Sequence, residues 1–495
     1  MADTPNPKPD PTDRNVRLIL TWLATHRDST ELELEELGTQ LNTLRETPLP
    51  PRQSLKLLEM LFACLSTRLE EQITQFAGAS IPLARRIRQQ VNTLQDVLED
   101  FALGYEGVLG ALSGEAQTSE LELSLERTAF CLHKHLYISY LVAAPPGLGI
   151  WQRLHGAYLR SLEMSPEPGH PRPITAYSEA LLLACAQPAS FSSQELAFVA
   201  EYVRQRASTL TISPRLPPEP GGLFWIDPSR DFPAFALARR PPPPDYKVYY
   251  FSCLAMAEQA STHLAALSAG QKARELLLPA LADTPAGKGT LRRLASFWGN
   301  PGKRRFPRRR QSHRGTLVAG LERLWRMLQT PEAMAEEDFS QWMITNESPD
   351  GYALMHLHGK AGRIRVGDIV ALRTDAELAS NERWQICLVR WALSENPEHI
   401  EIGLQVLAPE ATPALLAIPS DPGNQGRTSA LILPELPPLR NEPVLVVPAG
   451  AITDQSRKLL LLIQKANLEI RQVRALEVSE QTGRVEVFTI EADAS

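Results

Sequence analysis

The sequence reads KRRFPRRRQSHR over residues 303–314 and NESPDG over residues 346–351. The first stretch contains an Arg-x-x-x-Arg pattern at Arg310 and Arg314. The second contains an Asn-x-Ser-x-x-Gly pattern at Asn346, Ser348 and Gly351. Arginine guanidinium groups suit phosphate oxygens and guanine edges, and a short polar pair followed by glycine favours a tight turn. Together the two stretches indicate a site for a small, anionic, guanine-containing ligand.

The two patterns, in this order, resemble those of the PilZ domain, a bacterial receptor module for cyclic di-GMP. Residues 363–372 read as a turn into a strand, and residues 386–391 read as the next strand. Residues 400–407 fit the apolar-Gly-apolar strand that closes a PilZ barrel. The resemblance covers about residues 300–410 and predicts an antiparallel β-barrel there.

The resemblance also implies roles for individual residues. Arg310 and Arg314 are expected to bind phosphate and guanine from a flexible segment that folds over the ligand, with Arg309 as a helper. Asn346, which replaces the commoner aspartate, and Ser348 lie two residues apart and are expected to accept hydrogen bonds from a guanine edge. Gly351 is expected to allow a positive φ and a close approach of the backbone.

Charge is distributed unevenly along the chain. The formal net charge of −6 does not indicate a general nucleic-acid-binding protein. However, no acidic residue lies between Asp283 and Glu322, where ten lysines and arginines form a local site for anions. Basic runs of this kind are also found in solvated linkers and in nonspecific phosphate-binding patches, which remain alternatives.

Helical periodicity dominates the N-terminal half, whereas strand-like segments dominate the C-terminal part. The fold class is therefore multidomain α + β: a large α-helical N-terminal region, a PilZ-like antiparallel β-barrel and a small C-terminal β unit. Residues 320–328 fit a helix and a strand about equally well. The expected organisation is a disordered tail at 1–14, a helical region at 15–282 with a proline-rich insert at 213–245, a basic linker at 283–314, the barrel at 315–410 and the C-terminal unit at 425–495.

Cysteine usage and hydropathy point to a cytoplasmic protein. The five cysteines are scattered without C-x-x-C spacing, as expected of reduced, mostly buried thiols. The N-terminus lacks an apolar signal region, and no apolar run approaches the ~18 residues of a membrane span. We expect a cytoplasmic location and no membrane span.

Motifs of catalysis and metal binding give little support to an enzyme. Residues 286–290, AGKGT, lack the first glycine and the Lys-Ser/Thr pair of a phosphate loop. The sequence has no G-x-S-x-G and no HExxH, and in the run CLHKH His133 points away from Cys131 and His135 on a helix. We therefore predict no catalytic residue, no metal site and no cofactor.

The sequence predicts a cyclic di-GMP-binding effector that is not an enzyme. Its helical region would be the output module and would bind an unidentified protein partner. Ligand binding would order the basic linker and re-orient the helical region against the barrel. Two alternatives remain: a PilZ-like structural adaptor that does not bind nucleotide, and a nucleic-acid-binding adaptor that uses the basic cluster, although nucleic acid is the less favoured partner. A fragment 296–410 is expected to fold and to bind the ligand by itself.

Overall fold

The computed structural model of the chain describes residues 11–26, 34–78, 81–112, 118–164, 174–302, 306–359, 364–375, 383–396, 399–417, 428–452, 457–464 and 467–492. Most of the tail expected at residues 1–14 lies outside these ranges, and its last four residues, 11–14, belong to the first helix. Lys303, Arg304 and Arg305 of the basic cluster also lie outside the described residues.

The N-terminal region is helical, as predicted. Its helices are α1 (Pro11–His26), α2 (Leu34–Glu46), α3 (Pro51–Ser66), α4 (Leu69–Thr74), α5 (Arg85–Ala111), α6 (Thr118–Leu141), α7 (Ile150–Glu163), α8 (Thr175–Cys185) and α9 (Ser193–Arg204). Apolar side chains three and four residues apart put one face of α3 and one face of α5 into a common core. The α9 helix begins with a capping box in which Ser192 and Glu195 satisfy each other's backbone N–H groups.

The proline-rich insert contains a short antiparallel sheet. Its three strands are β1 (Leu223–Ile226), β2 (Phe235–Ala236) and β3 (Tyr249–Ser252), in the order β2-β1-β3. The side chains of Phe224, Trp225 and Ile226 are buried, and the sheet continues into helix α10 (Leu254–Ser268). Burial of these three side chains explains why an apolar strand interrupts a stretch that is otherwise rich in proline.

The structure differs from the expected basic linker at 283–314. Residues Pro285–Gly299 form helix α11, which begins with Thr284 accepting a hydrogen bond from the Gly287 N–H at 3.3 Å. The sequence signals are a threonine cap, a proline at the first helical position and an apolar stripe that buries Leu291, Leu294 and Trp298. The glycines and the positive charge of this stretch are features that also favour a linker. The connection between α11 and the barrel is limited to residues 300–308.

The barrel expected at 315–410 is present as a closed antiparallel barrel of six strands in the order β4-β5-β6-β9-β8-β7. The strands are β4 (Arg309–Ala319), β5 (Phe339–Ser348), β6 (Gly351–Gly359), β7 (Ile369–Thr374), β8 (Gln385–Asn396) and β9 (His399–Ala408). Helix α12 (Leu321–Gln329) lies between β4 and β5, so the stretch 320–328, which fitted a helix and a strand equally well, is helical from Leu321. The arginine pair belongs to β4 rather than to a flexible segment.

The C-terminal unit is a second closed barrel of six antiparallel strands. It begins at Thr412, earlier than the expected 425. Its strands are β10 (Thr412–Ala417), β11 (Thr428–Leu433), β12 (Val444–Pro448), β13 (Lys458–Gln464), β14 (Leu468–Gln481) and β15 (Val485–Ala492), in the order β10-β11-β12-β15-β14-β13. Residues 493–495 lie outside the described part of the chain.

The outer faces of the two barrels share one hydrophobic core. Ile386 and Leu388 of the first barrel belong to the same buried cluster as Leu431 and Val446 of the second. Helix α12 completes this cluster, and its Trp325 donates a hydrogen bond from Nε1 to the Ala414 carbonyl of β10 at 2.9 Å. Burial of apolar surface on both sides makes the two barrels one structural unit.

Helix α11 joins the helical region to the second barrel. A Cβ at Gly289 would lie 2.0 Å from the Gln481 carbonyl oxygen, so only glycine lets α11 approach β14 this closely. The Arg292 guanidinium donates to Gln481 Oε1 at 3.1 Å. On the other side of the same junction, the Ser394 N–H of the first barrel donates to the Ala143 carbonyl of the helical region at 2.7 Å.

All five cysteines are buried and none forms a disulfide, as predicted. In the described ranges, no helix combines the length and the apolar character that a membrane crossing requires.

The shared core leads us to expect that the first barrel is not stable by itself, contrary to the expectation from the sequence. A fragment 296–410 would expose Ile386, Leu388 and their neighbours, and each such side chain loses about 1.5–3 kcal/mol when it is taken out of a core. We expect fragment 296–410 to self-associate in analytical ultracentrifugation, whereas fragment 296–492 stays monomeric and unfolds cooperatively. Equal thermal stability and a monomeric state of the shorter fragment would contradict the importance of the shared core.

Candidate ligand-binding site

The two sequence patterns meet on neighbouring strands of the first barrel. Antiparallel pairing of β4 with β5 places Arg310 directly opposite Asn346 and Arg314 opposite Met343. A β-bulge lies between Arg310 and His313 on β4. A second irregularity lies on the β5–β6 ladder between Ile344 and Asn346, which are opposite Leu354 and Ala353.

The side chains of Arg310, Arg314 and Asn346 share the outward face of these strands. Side chains of directly paired residues lie on the same face of a sheet. Trp342, Ile344 and Leu354 point into the barrel and are fully buried, whereas Arg310 and Arg314 are exposed. Within the described part of the chain, the two guanidinium groups have no hydrogen bond or ion pair with another residue, so both remain available to an anion.

Ser348 ends β5 at the same edge and takes part in a tight turn. Its hydroxyl lies 2.8 Å from Asp350 Oδ1 and 3.0 Å from the Gly351 carbonyl oxygen, and both of these atoms accept. Because the hydroxyl hydrogen is used within the turn, the Ser348 oxygen keeps its lone pairs for an incoming donor. The turn therefore presents an acceptor two residues after Asn346.

Gly351 is required for close packing and not for an unusual backbone angle. Its φ does not lie in the positive range, contrary to expectation. A Cβ at this position would lie 2.2 Å from the Leu404 carbonyl oxygen of β9. The expected close approach is therefore present, and it comes from the strand that pairs with β6 on its other side.

Arg309 lies apart from the other predicted site residues. It is directly opposite Glu347, which in turn is opposite Tyr352, so these three side chains share the inward face at one end of the barrel. They line a cavity of about 450 Å³ together with Gln311 and Gln385. Ser348 also lines this cavity and connects it to the outward face.

Sequence reasoning missed Gln311, Glu347, Tyr352 and Gln385. The sequence contains a signal for Gln311. Residues two apart in a strand share a face, so Gln311 lies on the same face as Arg309. Glu347 occupies the variable position of the Asn-x-Ser pattern, so the pattern itself gives no signal for it. Tyr352 and Gln385 are brought together by the closure of the barrel, which no local pattern reveals.

Metal-binding residues do not cluster in the described part of the chain, where no group of three His, Cys, Asp or Glu side chains is arranged around one point. The histidine run in α6 is instead part of the helical core. His133 Nε2 lies 3.1 Å from Glu179 Oε2, and burial lowers the pKa of this histidine.

Two family models match separate regions of the chain. Residues 17–218 match the family described as "Cyclic-di-GMP receptor FimW, N-terminal domain". Residues 326–413 match the family described as "Cyclic-di-GMP receptor FimW, middle PilZ domain". The second match includes Asn346, Ser348 and Gly351 but begins after Arg314. No solved structure matches the chain.

The chain contains a PilZ domain and belongs to the PilZ-domain protein family. Both matched models describe domains of FimW, and together they cover more than half of the chain. The chain is also similar along most of its length to the cyclic-di-GMP receptor FimW of Pseudomonas aeruginosa. The two are 22% identical, and the alignment covers 91% of this chain and 88% of that protein.

A side chain at position 351 should disrupt the edge of the site. We expect Gly351→Ala to lower the free energy of unfolding by about 1–3 kcal/mol, because the added methyl group overlaps the β9 backbone. Gly107→Ala is a matched control, since a Cβ there meets nothing within 4 Å and the residue lies in helix α5. Chemical denaturation measures both variants, and equal stabilities would contradict the packing role of Gly351.

Proposed function

We propose that the protein is a cyclic di-GMP-binding effector whose first barrel receives the ligand on its outward face. The observation that carries this proposal is the cross-strand pair of Arg310 and Asn346, with Arg314 and Ser348 beside it on the same face. This arrangement combines two free cations for the phosphodiesters with acceptors for a guanine edge. The similarity to a protein described as a cyclic-di-GMP receptor supports the same ligand.

We assign a role to each residue on the basis of its chemistry. Arg310 and Arg314 donate to phosphate oxygens and to guanine O6 and N7. Asn346 and Ser348 accept from guanine N1–H and N2–H. Gly351 keeps β9 close behind the turn, so that the turn stays rigid when the ligand is absent.

We further propose that the helical region is the output module and that it binds a protein partner. The barrel is connected to this region by a series of polar contacts. Gln405, which is opposite Gly351 on β9, accepts a hydrogen bond from Arg390, and Arg390 forms a bidentate ion pair with Glu480 of the second barrel. The next residue, Gln481, accepts from Arg292 of α11. The coupling element in this proposal is α11 rather than a linker that becomes ordered.

Removal of the arginine pair should abolish binding. We expect Arg314→Ala to cost about 2–4 kcal/mol of binding free energy, and the double variant Arg310→Ala, Arg314→Ala to cost more, because charge-assisted bonds to the ligand are lost. The double variant Arg326→Ala, Arg471→Ala is the matched control, since it removes the same charge from α12 and β14, where both arginines are half exposed.

Isothermal titration calorimetry of the full chain with cyclic di-GMP decides between the alternatives. A wild-type protein that binds no cyclic di-GMP would favour the structural adaptor. Binding to many nucleic-acid sequences that weakens steeply as salt rises would favour the nucleic-acid adaptor. Binding that is unchanged in the Arg310→Ala, Arg314→Ala variant would disprove the site.

Ligand binding should be transmitted to α11. We expect hydrogen exchange to slow in β4 and β5 on addition of cyclic di-GMP, and to change by a smaller amount in α11 and β14. Glu480→Gln removes the charge that holds Arg390, so this variant should bind the ligand normally but lose the change in α11. Glu477→Gln on the same strand is the control. An α11 response that is equally large in Glu480→Gln would contradict this route.

A further inference from the structure

A row of inward-facing side chains lies at the end of the first barrel that contains the cavity. Arg309, Glu347 and Tyr352 lie side by side on β4, β5 and β6. Tyr352 is 8% exposed and belongs to the barrel core, whereas Arg309 is exposed at the rim. The row thus extends from solvent into an apolar interior, as expected of a pocket for a flat ring with a polar edge.

Hydrogen bonds hold some polar groups of this row in place, and other polar groups of the row have no hydrogen-bond partner in the described part of the chain. Gln311 Nε2 donates to Glu347 Oε2 at 3.0 Å, and the Tyr352 hydroxyl donates to Gln385 Oε1 at 3.0 Å. As far as the chain is described, Glu347 Oε1 and the Arg309 guanidinium have no hydrogen-bond partner and do not form an ion pair with each other. An acceptor and a cluster of donors therefore face the same cavity.

The size and the walls of the cavity suit a purine ring. Its volume of about 450 Å³ lies in the range of ligand pockets, roughly 300–1,000 Å³. Apolar walls come from Pro349, Val406 and Pro409, and Leu436 of the second barrel closes one side. Ser348 belongs both to this cavity and to the outward face that we propose for the ligand. A ligand that is bound outside can therefore extend one ring into the cavity.

We propose that the cavity binds one guanine base of the ligand and that Glu347 determines the specificity for guanine. This inference rests on the proposed function. The Glu347 carboxylate accepts from guanine N1–H and N2–H, while Arg309 donates to O6 and N7. Adenine presents an acceptor at N1, which the carboxylate repels, so the same pocket rejects an adenine-containing analogue.

The test uses the full chain and isothermal titration calorimetry with three ligands. These are cyclic di-GMP, cyclic di-AMP and the inosine analogue, which lacks the N2 amine. We expect Glu347→Gln to weaken binding of cyclic di-GMP by about tenfold or more, because one good bidentate contact is lost. Loss of the N2 amine should weaken binding to the wild type but should have little further effect on Glu347→Gln. Arg309→Gln should weaken binding of cyclic di-GMP and of the inosine analogue, because both bases present O6 and N7.

Matched controls separate this pocket from general effects of charge and folding. Glu395→Gln removes the same charge from an exposed position on β8, and Arg326→Gln removes an exposed arginine on α12. Both should keep wild-type affinity and selectivity. Circular dichroism should give the same thermal transition for Glu347→Gln as for the wild type, since glutamine keeps an oxygen for Gln311.

The outcomes distinguish the two proposals. If the wild type binds cyclic di-GMP but Glu347→Gln keeps its affinity and its preference for the N2 amine, the guanine pocket is disproved while the outward-face site remains. If the wild type itself binds no cyclic di-GMP, the proposed function is disproved together with the pocket. A selectivity for guanine that falls only in Glu347→Gln supports the pocket.

Discussion

The antiparallel pairing of β4 with β5 is the constraint on which the candidate site depends. A shift of one residue in this register would move every side chain to the other face, and the cost of exposing Trp342 and Ile344 prevents such a shift. The pairing includes a bulge between Arg310 and His313, which is a common feature next to binding sites. Burial of the core thus determines which arginines face the solvent and which face the open end of the barrel.

The second barrel lines part of the cavity beside Glu347, a contact that no sequence pattern indicated. Its apolar outer face completes the core around Ile386 and Leu388, and its Leu436 closes the cavity beside Glu347. The apolar outer faces of the two barrels stay out of water only as long as the two barrels stay together. The orientation of the second barrel is therefore fixed by the same burial that supports the first. A ligand in the cavity would contact both barrels at once.

The sequence predicted the parts of the structure that depend on local patterns and missed those that depend on closure of the fold. The helices of the N-terminal region follow from periodicity, and the strand-like segments at 363–372, 386–391 and 400–407 correspond to β7, β8 and β9. The start of β4 was expected to be part of a flexible linker, and the expectation of a barrel came from the PilZ resemblance. The positive charge around Lys288 and Arg292 makes the sequence of α11 resemble a linker, although an apolar stripe is present. The separation of Arg309 from Arg310 does not follow from the expected flexible segment, whereas in β4 the side chains of adjacent residues point to opposite faces of the sheet. The binding roles of the predicted site residues stay predictions.

The positions of the acidic residues explain why Arg310 and Arg314 are available to an anion, while Arg390 at the junction of the two barrels is not. No acidic residue lies between Asp283 and Glu322, so Arg310 and Arg314 have no carboxylate on their own strand, and the nearest one across the ladder, Glu347, faces inward. Water solvates exposed guanidinium groups at little cost, and binding an anion there breaks no existing ion pair. Arg390, by contrast, is held by Glu480, and an anion could reach it only by displacing this carboxylate. The positions of the acidic residues thus separate the exposed arginines without an ion pair from the arginine that connects the two barrels.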